Sequence, residues 1–289
     1  MPKTLALKPR QQKQVNTLLA EREKPSRAAL VSQALILCPL PFRRVTGTTV
    51  NRTTRLPDGV LTVKFFVAEG DALPYGKDAV LLDLLCSESR RMKSPEITFD
   101  RAAELLEKLG ENDSGTSYRL VRERLLRLAN MQISIRRALG AGRNVRLVDS
   151  WDLGGTKEAR KEAQGAKRLF PYSIRFSQEF FDDLMSYYVP IPEKVLIAFK
   201  SNPTEYALMK RIAHRGLVAR SESVIPWAEL LGELGSTDSN QRRFKADVRK
   251  VLQKLALVWE DMPLAFTDGK AGIGVRPRRL KVVQDTPKP

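Results

Sequence analysis

An eight-residue run occurs twice in this chain. Ala103-Glu104-Leu105-Leu106-Glu107-Lys108-Leu109-Gly110 returns as Ala228-Glu229-Leu230-Leu231-Gly232-Glu233-Leu234-Gly235, identical at six of eight positions. The surroundings repeat as well. Each copy follows an apolar helical run and a short β-prone stretch, Glu96-Ile97-Thr98-Phe99 in one case and Ser223-Val224-Ile225-Pro226-Trp227 in the other. Each precedes a polar turn and a longer basic helix. Elements recurring in one order imply a single supersecondary unit used twice. With 289 residues there is room for about two domains of ordinary size.

Within the first unit, Gly110 can end its helix because glycine enters the left-handed conformation without steric penalty. Ser114 or Thr116 then stands where the next helix needs a cap. Along that helix Val121, Leu125 and Leu128 form an apolar stripe, with Arg119, Glu123 and Arg127 toward the other side. In the second unit Phe244, Val248, Val251 and Leu255 form the stripe, and Arg242, Arg243, Arg249, Lys250 and Gln253 populate the outward side. Arginine presents paired donors to guanine and glutamine does the same for adenine, so this face has the chemistry of a major-groove reader.

After each basic helix the periodicity changes to alternation. Met131-Gln132-Ile133-Ser134-Ile135-Arg136-Arg137, a turn at residues 140–142 and Val145-Arg146-Leu147-Val148-Asp149-Ser150-Trp151 read as strand, tip and strand. Leu257-Val258-Trp259 and then residues 266–276, with the favoured Asp268-Gly269 turn, read the same way. A helix-turn-helix backed by a hairpin is a winged helix, so the expected fold class is α+β with two tandem winged-helix domains. Arg136, Arg143, Lys270, Arg276, Arg278 and Arg279 carry charge suited to phosphate contact from the wings.

The remaining chain is assigned around these units. Residues 1–34 read as a basic arm that need not fold alone. Residues 39–188 form the expected first domain. It opens with a hairpin through Pro57-Asp58-Gly59 into Leu61-Thr62-Val63-Lys64-Phe65-Phe66-Val67, followed by a helix from near Gly76 or Lys77 over Val80, Leu81, Leu84 and Leu85. Residues 154–168 read as a long loop. Ser177 caps a helix bearing Phe180, Phe181, Leu184 and Met185, and Pro190-Ile191-Pro192 marks the boundary to the second domain, 189–289.

Fifty Lys and Arg against 33 Asp and Glu give a net charge of +17, a field that attracts polyanions. No apolar stretch has the ~20 residues needed to span a bilayer, and the basic N-terminal run has little aromatic area to insert into one. Double-stranded DNA is the expected partner. The one histidine, His214, and the two separated cysteines, Cys38 and Cys86, have no metal-site spacing, and a reducing cytoplasm is expected. His214 lies in an apolar helical run without a nucleophile motif and reads as a packed or solvated side chain. Neither phosphate-binding glycine motif is present. No enzyme, cofactor or metal is expected. The side chains expected to meet DNA are Arg119, Arg122, Arg127, Arg136, Arg143, Arg242, Arg243, Lys245, Arg249, Lys250, Gln253, Lys270, Arg276 and Arg278.

This order of elements, carried by residues 75–110, 131–176 and 201–212 with the helix-turn-helix after them, resembles the plasmid replication initiators of the RepA type over residues 39–283. The resemblance implies binding to repeated origin sites, local opening of adjacent DNA, recruitment of host helicase machinery and a monomer–dimer switch. It also implies that the second domain is the main reader, with the first adding backbone contacts and dimerisation. A winged-helix transcriptional repressor is the alternative. A nicking enzyme is disfavoured because it requires a tyrosine beside a metal-binding histidine cluster.

Overall fold

In chain order the elements are β1 (Ala28–Ser32), α1 (Gln33–Leu37), β2 (Thr49–Leu56), β3 (Gly59–Phe66), α2 (Asp78–Met92), β4 (Glu96–Phe99), α3 (Ala102–Lys108), α4 (Gly115–Asn130), β5 (Gln132–Arg136), β6 (Gly142–Arg146), β7 (Val148–Asp152), β8 (Tyr172–Phe176), α5 (Gln178–Ser186), β9 (Tyr188–Pro192), α6 (Glu193–Phe199), α7 (Pro203–Val218), β10 (Ser223–Pro226), α8 (Trp227–Glu233), α9 (Gln241–Val258), β11 (Leu264–Asp268) and β12 (Gly272–Pro277). The computed structural model describes residues 16, 20, 27–56, 59–99, 102–136, 142–152, 172–218, 221–233, 241–259, 262 and 264–277. The fold is α+β, with antiparallel strand pairs in four small sheets among these residues.

The internal repeat is a repeat of structure. The shift that carries Ala103 onto Ala228 also carries Asp78 onto Pro203 and Ala102 onto Trp227, the first residues of α2 and α7 and of α3 and α8. Each copy closes with a three-stranded sheet of the same order, β4-β8-β7 in one and β10-β12-β11 in the other. In both, the strand between the first two helices pairs with the last strand, which pairs with the middle one.

This topology corrects the expected hairpin of the first copy. Residues 132–136 and 142–146 do pair, but β5 also pairs with β3, giving the separate sheet β2-β3-β5-β6. The counterpart of β11 and β12 is instead β7 and β8, joined through residues 153–171, which lie outside the described residues and include the expected loop at 154–168. The single strand expected over 145–151 breaks at Leu147. There the chain is fully buried, and its amide donates to the Met131 carbonyl while its carbonyl accepts from the Ser177 amide, so it passes from one sheet to the next. Leu257 and Val258 are also not strand, because α9 runs to Val258.

The N-terminal boundary differs too. Residues 28–34 of the expected arm belong to β1 and the start of α1, where Ala29 and Val31 are wholly enclosed. β1 pairs with β9, so Pro190, Ile191 and Pro192 are a paired strand instead of a free linker. β1 packs on α2 and α1 packs on α7, which places this segment against the first helix of both copies. One continuous apolar cluster reaches from Ala29 to Val275. Each fully buried Leu or Ile within it contributes about 1.5–3 kcal/mol relative to exposure. Across this junction the Asp83 carboxylate of α2 accepts hydrogen bonds from Lys210 Nζ (2.6 Å) and Tyr206 Oη (2.8 Å) of α7.

Candidate nucleic-acid interface

In the second copy, α9 buries Phe244, Val248, Val251 and Leu255 as its spacing requires. At 100° per residue, Arg242, Lys245, Arg249 and Gln253 fall on one stripe on the opposite side. Arg242, Arg249 and Gln253 are exposed, as are Arg243 and Lys250 beside them, and Lys245 is half-buried. Lys250 also forms a surface ion pair with Asp247 at 3.1 Å, of the exposed kind that contributes little.

The β11–β12 hairpin stands beside this stripe and is held at a defined height. Trp227, the first residue of α8, donates from its indole to the Gly269 carbonyl (3.2 Å), and its amide donates to the Ala271 carbonyl (3.3 Å). Lys245 Nζ sits 5.3 Å from the centre of the Trp227 rings. The close approach of the hairpin depends on glycine. A Cβ at Gly272 would lie 2.0 Å from the Ile225 carbonyl oxygen, and one at Gly274 would lie 2.2 Å from Thr267 Oγ1. Between α9 and the hairpin tip lies an open cleft of about 500 Å³ lined by Lys245, Arg249, Gly269 and Lys270. Three cations converge there on a concave surface, an arrangement that attracts an anionic backbone. Arg276, on β12, is exposed and paired with Glu222 at 3.0 Å.

The first copy is built alike but charged differently. Gly110 adopts φ +57°, and Lys200 Nζ donates to the Leu109 and Gly110 carbonyls, satisfying the end of α3. Ser114 caps α4 by accepting from the Ser117 amide at 3.2 Å. Val121, Leu125 and Leu128 are buried, whereas Arg119 and Arg122 are exposed. Superposing the two buried stripes puts Arg119 on Arg242 and Arg122 on Lys245, but Leu126 falls on Arg249. The first stripe therefore carries fewer cations.

Arg127 is engaged inside the protein. Its Nε and Nη2 donate to the two oxygens of the enclosed Asp78 carboxylate at 2.8 and 2.9 Å, and Arg124 Nε lies 3.9 Å from the same group. These hydrogen bonds raise the Arg127 pKa and tie its guanidinium to α2. Helical spacing alone does not reveal that the first residue of α2 is a buried acid facing this side of α4.

The other expected residues are dispersed. Arg136 is exposed on β5, in the separate sheet, and the register sets Arg143 opposite Ile135. Arg278 and Arg279, the 140–141 part of the expected tip and the 236–240 turn lie outside the described residues. His214 is buried, with Nε2 3.1 Å from Gln33 Nε2, and its pKa is pushed down to about 3 by burial first and then by Arg211 and Arg215. The residue that sequence reasoning passed over is Trp227. Its signal was position, an aromatic directly preceding the second octamer.

Among the described residues no helix is long and apolar enough to cross a membrane, and no group of three or more His, Cys, Asp and Glu could hold a metal ion.

Comparison with known proteins gives two kinds of match. Residues 90–227, a little under half of the chain, match the family model of plasmid encoded RepA protein. The fold is similar to the crystal structure of RctB domains 2-3 (RctB-155-483), with a TM-score of 0.53 at 14% identity, covering 85% of this chain and 96% of that one. It is also similar to the selenomethionine derivative of RctB domains 2 and 3, with a TM-score of 0.54 at 12% identity, covering 86% and 99%. No curated protein sequence matches the chain.

Proposed function

We propose that this chain is an initiator of plasmid replication: a sequence-specific DNA-binding protein whose two copies act as winged helices on repeated origin sites and help open the origin for a host helicase. The observation that carries the reading is the cationic cleft between α9 and the β11–β12 tip. In it α9 enters the major groove, with Arg242, Lys245, Arg249 and Gln253 along its outward stripe, and Lys270 meets phosphate from the wing. The family model of plasmid encoded RepA protein matched by residues 90–227 supports the same role, and the likeness to RctB domains 2-3 supports the fold. The first copy, poorer in cations on its outward stripe, supplies backbone contacts and self-association. Cytoplasmic location and engagement of a helicase belong to the same proposal.

A plasmid carrying only this reading frame and its flanking repeats tests it. Replication is expected with the frame intact and is lost when the frame is interrupted. Binding to a duplex bearing the repeats is expected to weaken by ~10³ between about 50 and 200 mM salt if six or more phosphates are contacted. A protein that binds the repeats while the plasmid fails to replicate overturns the initiator role, and a flat salt response overturns the electrostatic interface.

A further inference from the structure

The sheet β2-β3-β5-β6 has one buried and one largely open face, and the open face is cationic. Its inner side carries Thr54, Leu61, Val63, Phe65, Ile133, Ile135 and Val145, all buried. The register assigns the other side row by row. Thr49, Phe66, Gln132 and Arg146 align across the four strands, then Asn51, Lys64, Ser134 and Asn144, then Thr53, Thr62, Arg136 and Gly142, with Arg55 beside Val60 at the end. Arg55, Lys64, Arg136 and Arg146 are exposed, together with the amides Asn51, Gln132 and Asn144, and Ser134 between them is buried. Among the described residues no position on this side is acidic. Chance placement on an ordinary solvated sheet mixes both signs of charge.

We propose that this face binds single-stranded nucleic acid. Charge complementarity calls for a polyanion, and dimensions select the single strand. Four strands at their usual spacing set the outer two about 14 Å apart before side chains are added. The major groove is about 12 Å wide and admits a helix or a two-stranded ribbon, not this sheet. A broad sheet suits an unstacked strand instead, whose phosphates meet cations while bases lie on a ring and hydrogen-bond to amides. Phe66 supplies a half-exposed ring on a central strand, with Lys64 Nζ 5.6 Å from its centre. The exposed amides of Asn51, Gln132 and Asn144 in the neighbouring rows can pair with base edges of any sequence. The inference stands apart from the duplex reading of α9, because it uses a different sheet and different side chains.

The test uses the full chain and two fluorescent probes, an oligo-dT of about 20 nucleotides and a random-sequence duplex of the same length. Changing Arg55→Gln, Lys64→Gln, Arg136→Gln and Arg146→Gln together is expected to weaken oligo-dT binding at least ~10-fold. It should also lower the slope of log affinity against log salt by about 3, at ~0.7 per phosphate. Duplex affinity should change less than about threefold. Lys245→Ala with Arg249→Ala should show the reverse pattern. A less than twofold loss on oligo-dT, or equal losses on both probes, overturns the proposal. Failure of the unaltered protein to bind duplex would overturn the α9 reading alone. Independently of any variant, photocrosslinking of 4-thiothymidine oligomers to the unaltered protein should label residues 60–66, 132–136 or 142–146. Crosslinks confined to 241–258 also overturn it.

Discussion

Lys210 and Asp83 meet as an ion pair sealed from solvent, 3% and 1% exposed, and each lies on the first helix of its copy of the repeat. Burial pushes the Asp83 carboxyl above its ordinary range, opposed by the Lys210 ammonium and the Tyr206 hydroxyl. Lys210→Met leaves the carboxylate enclosed without its counter-charge and should cost about 3–5 kcal/mol in urea unfolding. Asp83→Leu combined with Lys210→Met should cost markedly less than the sum of the two single changes. Additive losses would show that the pair does not act as a unit.

Arg127 and Arg249 should separate stability from binding. Arg127→Ala removes two charge-assisted hydrogen bonds to enclosed Asp78 and should lower stability by about 2–4 kcal/mol, with little change in DNA affinity of the folded protein. Arg249→Ala should leave the melting temperature nearly unchanged while reducing the salt slope of duplex binding by about 1. Parallel unfolding and binding titrations check both. A binding defect confined to Arg127→Ala would reverse their assigned roles.

Two glycines predict opposite signs. Gly272→Ala forces a methyl group into the Ile225 backbone and should destabilise by about 1–3 kcal/mol or more. Gly232→Ala, with nothing within 4 Å of the new Cβ and a helical position in α8, should stabilise by about 0.5–1 kcal/mol. Thermal unfolding of the two variants decides this.

Stability should fall in mild acid through His214. Its pKa is about 3 in the folded chain against an ordinary 6.5, so below pH 6.5 the unfolded chain binds the extra proton. The contribution is complete above pH 6.5 and declines as pH drops toward 3. Between pH 7 and pH 5 the loss should be about 2 kcal/mol, at 1.36 kcal/mol per unit. His214→Gln should flatten that interval in denaturant titrations, and an unchanged slope would refute the assignment.

Local signals were legible where the element and its partner are near in sequence. The Gly110 stop, the Ser114 and Ser177 caps, and the stripes of α4 and α9 all follow from spacing and cap chemistry. What spacing could not disclose is which sheet a strand joins. β5 and β6 alternate as any hairpin does, and their membership in the β2–β3 sheet is decided by a pairing across distant residues. The same limit hid the bond from Arg127 to Asp78 and the union of β1 with β9. Charge counting finds cations but not their grouping, so Arg136, expected on a wing, belongs instead to an open sheet face.

The pairing of β1 with β9 imposes an order on synthesis. A nascent chain has already exposed Val31, Leu35 and Ile36 when translation reaches the first copy of the repeat, yet their cover includes β9 and α7, which emerge later. Until Pro192 and α7 leave the ribosome, that apolar segment has only the α2 part of its seat. Apolar surface left uncovered during that interval is the kind that associates wrongly before folding is complete.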